Sequence, residues 1–304
     1  MFSKVALIGV GLIGSSMAHA MRRAGLAAHI AGYSHRETTR EKARTAGFAD
    51  SVHASVADCV RDADLVVLAT PVGTFAELTR EMANGLRKGA ILSDVGSVKA
   101  AVIRDVGPFV PDGVHFIPAH PVAGTEQSGP ESGFAELFDG RWCILTPPAG
   151  ADLQAVETLK SFWQRLGSNV EVMDARHHDL VLAITSHVPH LIAYNIVGTA
   201  ADLETVTESE VIKFSAGGFR DFTRIAASDP TMWRDVFLNN REAVLEMLGR
   251  FNEDLSALQR AIRWGDGEML FEFFTRTRAI RRSIIDAGQD VAEPNFGRRP
   301  RNTP

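Results

Sequence analysis

Residues 4–14 decide the fold, and they read KVALIGVGLIG. The apolar first half is typical of a buried strand, the second half has the pattern GxGxxG, and a helical pattern over 12–23 follows directly. In such a pattern the first Gly permits a tight turn, the second lets the backbone approach a pyrophosphate, and the third allows close packing at a helix N-terminus that attracts phosphate. We therefore predict a dinucleotide-binding Rossmann fold. The predicted cofactor contacts in this stretch are Gly9, Gly11, Leu12, Ile13 and Gly14.

Short apolar runs alternate with helical patterns as far as about Thr146, as a parallel α/β sheet requires. The run over 64–70, DLVVLAT, is apolar almost throughout, and such runs suit strands that helices cover on both faces. We predict an α/β fold with a Rossmann-type doubly wound parallel sheet, and we place Thr70 and Pro71 at its cofactor edge. Further predicted strands cover 28–33, 90–93, 115–117 and Trp142–Leu145, and a second helix covers Glu37–Ala46.

The pattern changes after residues 147–150, PPAG. A helical pattern over 153–166 and a strand pattern over 170–172 come next. From Ala175 onward the apolar spacing of three and four indicates helices, most clearly over 234–264 and 268–287, with a turn at Gly265-Asp266-Gly267. We predict a dinucleotide-binding domain over 1–150, an all-helical substrate and dimerisation domain over 151–287, and a flexible tail over 288–304. Long helices with apolar stripes favour a homodimer.

The composition is that of an ordinary globular protein, with 304 residues, 45% hydrophobic and 23% charged, and a net charge of −5. Disordered, collagen-like and disulfide-rich classes are excluded. A locally basic stretch occurs only at residues 298–301, so we expect no nucleic-acid partner. The two cysteines, Cys59 and Cys143, form no CxxC pair. Neither a leader nor an apolar run of about 20 residues is evident, and we expect a cytoplasmic protein without membrane contact.

The end of the second predicted strand bears on the choice of dinucleotide. In NAD-binding Rossmann folds an Asp or Glu near this position binds the ribose 2′-hydroxyl. Here the strand ends Tyr33-Ser34-His35-Arg36, without a carboxylate. Ser34 and Arg36 offer a hydroxyl and a guanidinium that suit the 2′-phosphate of NADP. The sequence leaves NAD, NADP or both open.

Several segments are rich in polar residues at positions where a fold alone does not need them. SDVGSVK, residues 93–99, and PAHPVAGTE, residues 118–126, each follow a predicted strand, and ligands of open α/β sheets lie outside the carboxyl ends of the strands. SHVPH, residues 186–190, lies in a helical segment, and GGFRDFTRI follows at 217–225. His120 lies between two prolines in a predicted loop. Because the prolines restrict the backbone, we do not expect this side chain merely to fill the core.

The histidines and arginines of the helical half suggest two kinds of ligand. A zinc site is one possibility, and its candidate ligands are His187 and His190, three residues apart, together with 177–178. No carboxylate or cysteine stands at a familiar ligand spacing, and we predict no metal. Arg220 and Arg224, four residues apart on a predicted helix, face the same way and suit an anion.

The order of these motifs resembles that of one enzyme family. Six motifs follow one another within residues 4–286: the fingerprint, DVGSVK, PAHPVAGTE, SHVPH, GGFRDFTRIA and SDPTMWRD. The chain thereby resembles the prephenate/arogenate dehydrogenases of tyrosine biosynthesis, and in particular the bacterial cyclohexadienyl dehydrogenases. The resemblance implies oxidative decarboxylation with NAD or NADP: hydride passes from the ring carbon bearing the hydroxyl to the nicotinamide, carbon dioxide leaves, and the ring becomes aromatic. It leaves open whether the small-molecule substrate is prephenate, arogenate or both.

The resemblance also implies roles for individual residues. His120 is expected to accept the hydrogen bond, and then the proton, of the ring hydroxyl, a role that suits an imidazole with a pKa near neutrality. Ser97 is expected to orient that hydroxyl, and Arg224 to bind a substrate carboxylate. Glu126 corresponds to a gate residue at the pocket mouth. Other residues expected in or beside the substrate pocket are Arg220, Asp221, Ser186, His187 and His190.

Two other functions are compatible with a fingerprint followed by helices. A β-hydroxyacid dehydrogenase or imine reductase has a similar build, but the former uses a catalytic Lys where this chain has SHVPH. A non-catalytic NAD(P)-sensing protein does not need His120, Ser97 and Arg224 together. Nothing precedes the fingerprint and 17 residues follow Ala287, so we expect neither a fused chorismate mutase domain nor a tyrosine-sensing domain.

Overall fold

The structure is a computed structural model that describes residues 1–207 and 217–286. Its strands are β1 (Phe2–Ile8), β2 (Ala27–Tyr33), β3 (Ser51–His53), β4 (Leu65–Leu68), β5 (Ile91–Asp94), β6 (His115–Phe116), β7 (Ala119–Pro121), β8 (Trp142–Leu145) and β9 (Asn169–Val172). Its helices are α1 (Leu12–Ala24), α2 (Glu37–Ala46), α3 (Val56–Val60), α4 (Phe75–Met82), α5 (Ala100–Val106), α6 (Leu153–Arg165), α7 (Ala175–Leu182), α8 (Val188–Thr207), α9 (Gly217–Thr223), α10 (Pro230–Asn239), α11 (Arg241–Trp264) and α12 (Gly267–Asp286). The chain forms two compact units, Met1–Met247 and Leu248–Pro304.

The first unit contains a parallel sheet with the strand order β3-β2-β1-β4-β5-β6. This is the Rossmann order, and ligands bind where the order reverses, between β1 and β4. There Ile8 pairs with Leu68 and, on the other side, with Tyr33. The predicted doubly wound sheet is confirmed, and its switch point places the fingerprint beside the end of β4.

Both faces of this sheet are buried, as the apolar run of β4 predicts. One core layer contains Met17 and Met21 of α1 together with Trp163 of α6. The other contains Phe75 of α4 together with Trp233 of α10. Helices from the second half of the chain therefore complete the core around the sheet. The predicted domain boundary at residue 150 stays a prediction.

A second, smaller sheet has the order β7-β8-β9. β8 pairs antiparallel with β7 and parallel with β9. The predicted strand at Trp142–Leu145 is thus present, but it lies outside the doubly wound sheet in which we expected it. The ladder with β5 ends after Ile117, whose N–H donates to Leu92 O at 2.9 Å, because the next N–H on that side, from Ala119, donates to the side chain of Asp94 at 3.1 Å.

The helices of the second half differ from the sequence patterns at two points. A π-turn, Ala183–His187, joins α7 to α8, because Pro189 in the following turn has no N–H to donate. The predicted helical run over 234–264 is two helices, α10 and α11. Asp229 caps the first turn of α10, and Asn240 ends the helix with φ −114° and ψ 33°.

One helical stretch in the described part of the chain, Ala175–Asp202, is long and apolar enough to cross a membrane by length and composition: it has 28 residues, and an 18-residue window within it has a mean hydropathy of 1.5. This corrects the expectation that no stretch has those properties. Core helices of other proteins pass the same test. Here the stretch contains His178, Asp179 and His187, whose side chains are buried and hydrogen-bonded within the protein.

The described part of the second unit, residues 248–286, consists of the end of α11 and the whole of α12. Gly265, with φ 69°, lies in the turn between them, so the turn predicted at residues 265–267 is confirmed. Several large apolar side chains of these helices are exposed: Leu255, Ile262, Trp264, Phe271, Phe274, Ile280 and Ile284. The region predicted as a tail, 288–304, lies outside the described residues.

Candidate active site

The fingerprint loop has a shape that only glycine permits at two of its positions. Gly9 has φ +115°, and a Cβ there would lie 2.6 Å from the carbonyl of Ala69. A Cβ on Gly14 would clash with the carbonyl oxygen of Gly9. Around Gly11, by contrast, the space beside the backbone is open. Strand and helix are thus held in close contact while the middle of the loop is left accessible.

The loop leads into α1, which begins with Gly11 as a cap that offers no side-chain hydrogen bond. The first N–H groups of a helix need acceptors from elsewhere, and a phosphate supplies them. Leu12 and Ile13 are half-buried at this first turn. The accessible loop and the uncapped helix together fit a pyrophosphate, as the sequence predicts.

Thr70 and Pro71 form the facing rim, directly after β4. The Thr70 hydroxyl lies 2.8 Å from the hydroxyl of Thr74. Gly73 N–H donates to the carboxylate of Asp235 on α10 at 3.3 Å. The rim is therefore tied to the helices of the second half.

The end of β2 carries the residues that face a dinucleotide ribose in this fold. Ser34 is buried and its hydroxyl accepts from Arg36 N–H at 3.3 Å, while the Arg36 side chain is exposed. Arg40, which the sequence reasoning missed, is buried and donates to the carbonyls of Ser34 and His35 at 2.8 and 2.9 Å. Its position four residues after Arg36, on one face of α2, is the signal that could have found it.

His120 lies in the centre of β7 and is only 6% exposed. Its Nδ1 atom is 2.8 Å from Nε2 of His178 on α7. Burial holds the pKa of His120 well below its usual value, and the neighbouring His178, Lys99 and His187 act in the same direction. The imidazole is therefore neutral near pH 7 and has the protonation state of a base.

A buried ion pair lies beneath this strand. Asp94, at the end of β5, and Lys99, just before α5, are both 0% exposed and are paired with each other. Lys99 Nζ also donates to Ala119 O at 2.7 Å, and Asp94 accepts from the N–H of Ala119 at 3.1 Å and of Gly96 at 2.7 Å. Burial raises the pKa of Asp94 and lowers that of Lys99. The ion pair of Asp94 and Lys99 therefore fixes the backbone next to His120.

The segment with Ser97 runs over this ion pair. Ser97 is half-buried, and its hydroxyl makes no hydrogen bond with a described residue. The capping role that a serine often has at this position belongs instead to Asp179 of α7, which accepts from the N–H groups of Lys99 and Ala100 at 2.7 and 2.9 Å. Asp179 was not predicted as a site residue. The residues before it, 177–178, were considered only as possible zinc ligands.

The SHVPH segment begins in the π-turn. His187 is fully buried, and its Nδ1 atom lies 3.1 Å from the amide Nδ2 of Asn240. Burial lowers the pKa of His187 to about 4, while Asp179 and a backbone contact with Ser97 act in the opposite direction. Asn240 therefore makes Nδ1 of His187 an acceptor, and the N–H lies at Nε2.

His190 is half-buried and closer to the opening. Its Nδ1 atom lies 2.8 Å from the carbonyl of Ser186. Its ring stacks on Trp233 at 3.7 Å between centroids. Burial lowers the pKa of His190, the Ser186 carbonyl raises it, and the charge of Arg224 lowers it. Helix α8, which carries His190, packs against the turn Arg224–Ala227.

Arg224 and Arg220 do not share a helix face as predicted. Helix α9 ends at Thr223, and Arg224 begins a 3₁₀ turn, Arg224–Ala227. Arg224 pairs with Glu126 at 3.3 Å, with both side chains about one-third exposed. Arg220 is exposed and pairs with Asp221 at 3.4 Å. One arginine therefore lies at the site, opposite the predicted gate residue, and the other points to solvent.

The described residues contain no group of three or more His, Cys, Asp and Glu side chains arranged to hold a metal ion. His178 and His187, raised as ligands, are instead hydrogen-bonded to His120, Asp179 and Asn240. A dinucleotide loop at the carboxyl edge of a Rossmann sheet, with a buried neutral imidazole beyond the adjoining strand, defines the class: a nicotinamide-dependent oxidoreductase.

Comparison with known proteins agrees with this class. Residues 17–172 match the family "Prephenate dehydrogenase, nucleotide-binding domain", and residues 174–276 match "Prephenate dehydrogenase, dimerization domain". A cyclohexadienyl dehydrogenase of Zymomonas mobilis is 41% identical over 93% of this chain and 96% of its own length. A prephenate dehydrogenase of Bacillus subtilis is 32% identical over 96% of this chain and 78% of its own.

Solved structures give the same result. The prephenate dehydrogenase of Aquifex aeolicus, in complex with hydroxyphenyl propionate and NAD⁺, has a TM-score of 0.87 and 35% identity, covering 93% of this chain and 99% of that one. The Synechocystis arogenate dehydrogenase has a TM-score of 0.75 at 25% identity, covering 92% and 99%. The chain belongs to the prephenate dehydrogenase family. This membership decides against the β-hydroxyacid dehydrogenase, imine reductase and sensor alternatives.

Proposed function

We propose that the chain catalyses the oxidative decarboxylation of prephenate, arogenate or both, yielding 4-hydroxyphenylpyruvate or tyrosine. The observation that carries the proposal is the buried, neutral His120 just beyond the carboxyl edge of the sheet that carries the dinucleotide loop. Nicotinamide, when bound, accepts the hydride from the ring carbon that bears the hydroxyl. The bond between the ring and its carboxylate breaks, carbon dioxide leaves, and the electron pair completes the aromatic ring.

His120 holds the proton in this reaction. Its neutral imidazole accepts the hydrogen bond of the ring hydroxyl, takes the proton as the carbon is oxidised, and returns it to the phenolate oxygen once the ring is aromatic. A modest base suffices, because aromatisation and loss of carbon dioxide supply much of the driving force. The larger contribution of the protein is to hold the ring carbon at attack distance from the cofactor.

The other predicted residues surround the substrate in this proposal. Ser97, with a free hydroxyl, orients the ring hydroxyl beside His120. Arg224 releases Glu126 and binds a substrate carboxylate, so that Glu126 acts at the mouth of the pocket. Ser186 and His190 line the pocket from the helical half, and His187, predicted beside them, is fully buried and lies behind this lining. Arg220, which points to solvent, contributes through its pairing with Asp221 rather than by contact.

For the cofactor, we propose that NADP is accepted as well as NAD. No carboxylate stands at the end of β2 to repel a 2′-phosphate, and Ser34 and the exposed Arg36 offer donors to one. Arg40 supports this view because it fixes the carbonyls of Ser34 and His35 and so keeps the loop in one shape.

We also propose a homodimer formed through the helical half, located in the cytoplasm. Helices α11 and α12 expose more large apolar side chains than the surface of a soluble monomer usually does. The match to a family dimerization domain over residues 174–276 supports the same surface. Both cysteines are free and buried, which agrees with a reducing compartment.

The experiment that tests this function is a matrix of four initial rates on the purified protein. Prephenate and arogenate are each combined with NAD⁺ and with NADP⁺, and reduced nicotinamide is followed by its absorbance. We expect turnover with at least one substrate and with both cofactors. If all four combinations are silent while dinucleotide binding is retained, the proposal is wrong.

A further inference from the structure

A continuous chain of buried hydrogen bonds runs behind His120. His120 Nδ1 lies 2.8 Å from His178 Nε2, and His178 Nδ1 lies 2.8 Å from Asp179 Oδ1. His178 is 0% exposed and Asp179 is 4% exposed. The carboxylate in turn accepts from the N–H groups of Lys99 and Ala100. The chain therefore links the central residue of β7, through α7, to the first turn of α5.

The direction of each hydrogen bond follows from the chemistry of the groups. Both oxygens of Asp179 accept from backbone N–H groups, Oδ1 from Lys99 and Oδ2 from Ala100, so the carboxylate acts as an acceptor. His178 Nδ1 must therefore carry the proton of the bond to Asp179. In the neutral ring Nε2 of His178 is then an acceptor. The bond to His120 must accordingly be donated by His120 Nδ1–H.

The same deduction fixes the other nitrogen of His120. With the proton at Nδ1, a neutral imidazole has its lone pair at Nε2. That atom has no partner among the described residues and is not enclosed as a buried orphan. It is thus the one atom of the ring that is free to accept from a substrate hydroxyl.

Protonation of His178 would reverse this arrangement. A His178 imidazolium donates from both nitrogens, so His120 Nδ1 would have to accept, and the neutral His120 would carry its proton at Nε2. Burial lowers the pKa of His178 and so opposes that state. The charges that act on the two rings come from every neighbouring element, namely Lys99, Asp94, His187 and Asp179.

We propose that His178 and Asp179 are positioning residues that fix His120 in the Nδ1–H tautomer and thereby direct its Nε2 lone pair to the substrate. The inference rests on the proposed role of His120 as the proton acceptor. It goes beyond that role because it assigns the tautomer of His120 and attributes it to residues of the helix α7, outside the strand that carries His120. A Ser-His-Asp triad uses a carboxylate in the same way, with one imidazole fewer.

The test compares two substitutions of His178. A leucine (His178→Leu) fills much of the space but accepts nothing from His120. A glutamine (His178→Gln) offers an amide N–H to Asp179 and an amide oxygen to His120, which preserves both directions. We expect kcat to fall by about 100-fold in the leucine variant and to stay within about tenfold in the glutamine variant. KM and dinucleotide affinity should change little in either.

The tautomer itself is read by ¹⁵N NMR of histidine-labelled protein without substrate, with His120→Gln identifying the resonance. We expect Nδ1–H in the wild type and in His178→Gln, and a shift toward Nε2–H in His178→Leu. If packing were the only role, leucine would be no worse than glutamine and the tautomer would not change. Equal kcat in the two variants, or an unchanged tautomer in the leucine variant, would overturn the inference.

This design separates the failure of the inference from that of the proposed function. The NMR readout needs no turnover, so it reports on the hydrogen-bond chain even if the enzyme acts on another substrate. Conversely, an active wild-type enzyme whose His120 carries its proton at Nε2 would leave the reaction intact and reject the positioning role. Asp179→Asn is not used, because Asp179 also caps α5 and its loss would disturb that helix.

Discussion

Replacement of Lys99 by methionine should destabilise the protein strongly, even though the side chain touches no cofactor or substrate. Methionine retains the apolar stem and removes the ammonium group. Asp94, 0% exposed, then keeps only the N–H groups of Gly96 and Ala119 as partners. Breaking a buried pair by removing one partner costs about 3–5 kcal/mol, because a buried charge is left without compensation. We expect a loss of this size in the free energy of unfolding.

The loss of stability in Lys99→Met should also depend on pH in a direction that can be predicted. The pKa of Asp94 is raised by burial and lowered by Lys99, so it rises further once the ammonium is gone. A carboxyl with a raised folded-state pKa is more readily ionised in the unfolded chain. The unfolded state therefore binds fewer protons, and stability falls as pH rises through the folded pKa. The deficit of Lys99→Met should be larger at pH 8 than at pH 5.

Urea unfolding of four proteins measures the effect: wild type, Lys99→Met, Asp94→Asn and the double variant. Asparagine removes the charge but cannot accept from both backbone N–H groups, so the double variant should recover roughly half of the loss. A loss of less than about 1 kcal/mol in Lys99→Met, or a double variant no more stable than the single one, would refute the reasoning on the buried charge.

Four further predictions concern the reaction. His120→Asn should lower kcat by about 10²–10⁴-fold while dinucleotide affinity, measured by fluorescence titration, is unchanged; near-full turnover would reject the proton-acceptor role. Arg224→Ala should raise KM at least tenfold or so through a lost charge-assisted bond, whereas the exposed Arg104→Ala should not. The rate should rise with pH and reach its plateau by neutrality, because His120 must be deprotonated and burial lowers its pKa; a midpoint above 6.5 in the kcat/KM profile would contradict this. Ser34→Asp should abolish the rate with NADP⁺ but retain that with NAD⁺, and equal losses would show that the β2 end does not select the cofactor.

The apolar runs, the helical patterns and the glycine fingerprint predicted much of the parallel sheet and its helices. The bounds of α2 and β8 agree with the sequence patterns, and the fingerprint lies at the switch point as expected. What the patterns could not give is which sheet a strand joins. β8 has the same apolar character in either sheet, and its partners are set by contacts between distant segments, such as the bond from Thr146 N–H to Pro118 O at 2.9 Å.

The helical half was harder to predict because apolar spacing does not report local breaks. The periodicity over 234–264 continues through Asn240, yet α10 ends there, where the side chain of Asn240 bonds to Asp179 O and His187 Nδ1. Likewise Arg224 follows Arg220 by one helical turn in sequence, yet α9 ends between them. Tertiary hydrogen bonds decide these points, and a single sequence does not show them.

The most consequential residues escaped prediction for a related reason. Lys99 and Asp179 are charged residues, which composition places at the surface. They are buried because each has a partner from a distant segment: Lys99 donates to Ala119 O, and Asp179 accepts at the start of α5. The carboxylate of Asp179 thereby meets the positive end of a helix as well as His178. Two buried anions and one cation are stabilised in this way without bulk water.

Because of this arrangement, His120 depends on both halves of the chain for its position and for the location of its proton. The strand β7 places the backbone of His120, which is held by Asp94 at the end of β5 and by Lys99 just before α5. The helix α7 places the proton on its ring, through His178. A displacement of α7 by one hydrogen-bond length would leave His120 in position but free to adopt the other tautomer. Substitutions that loosen α7 should therefore lower kcat more than KM, even where they lie far from the substrate.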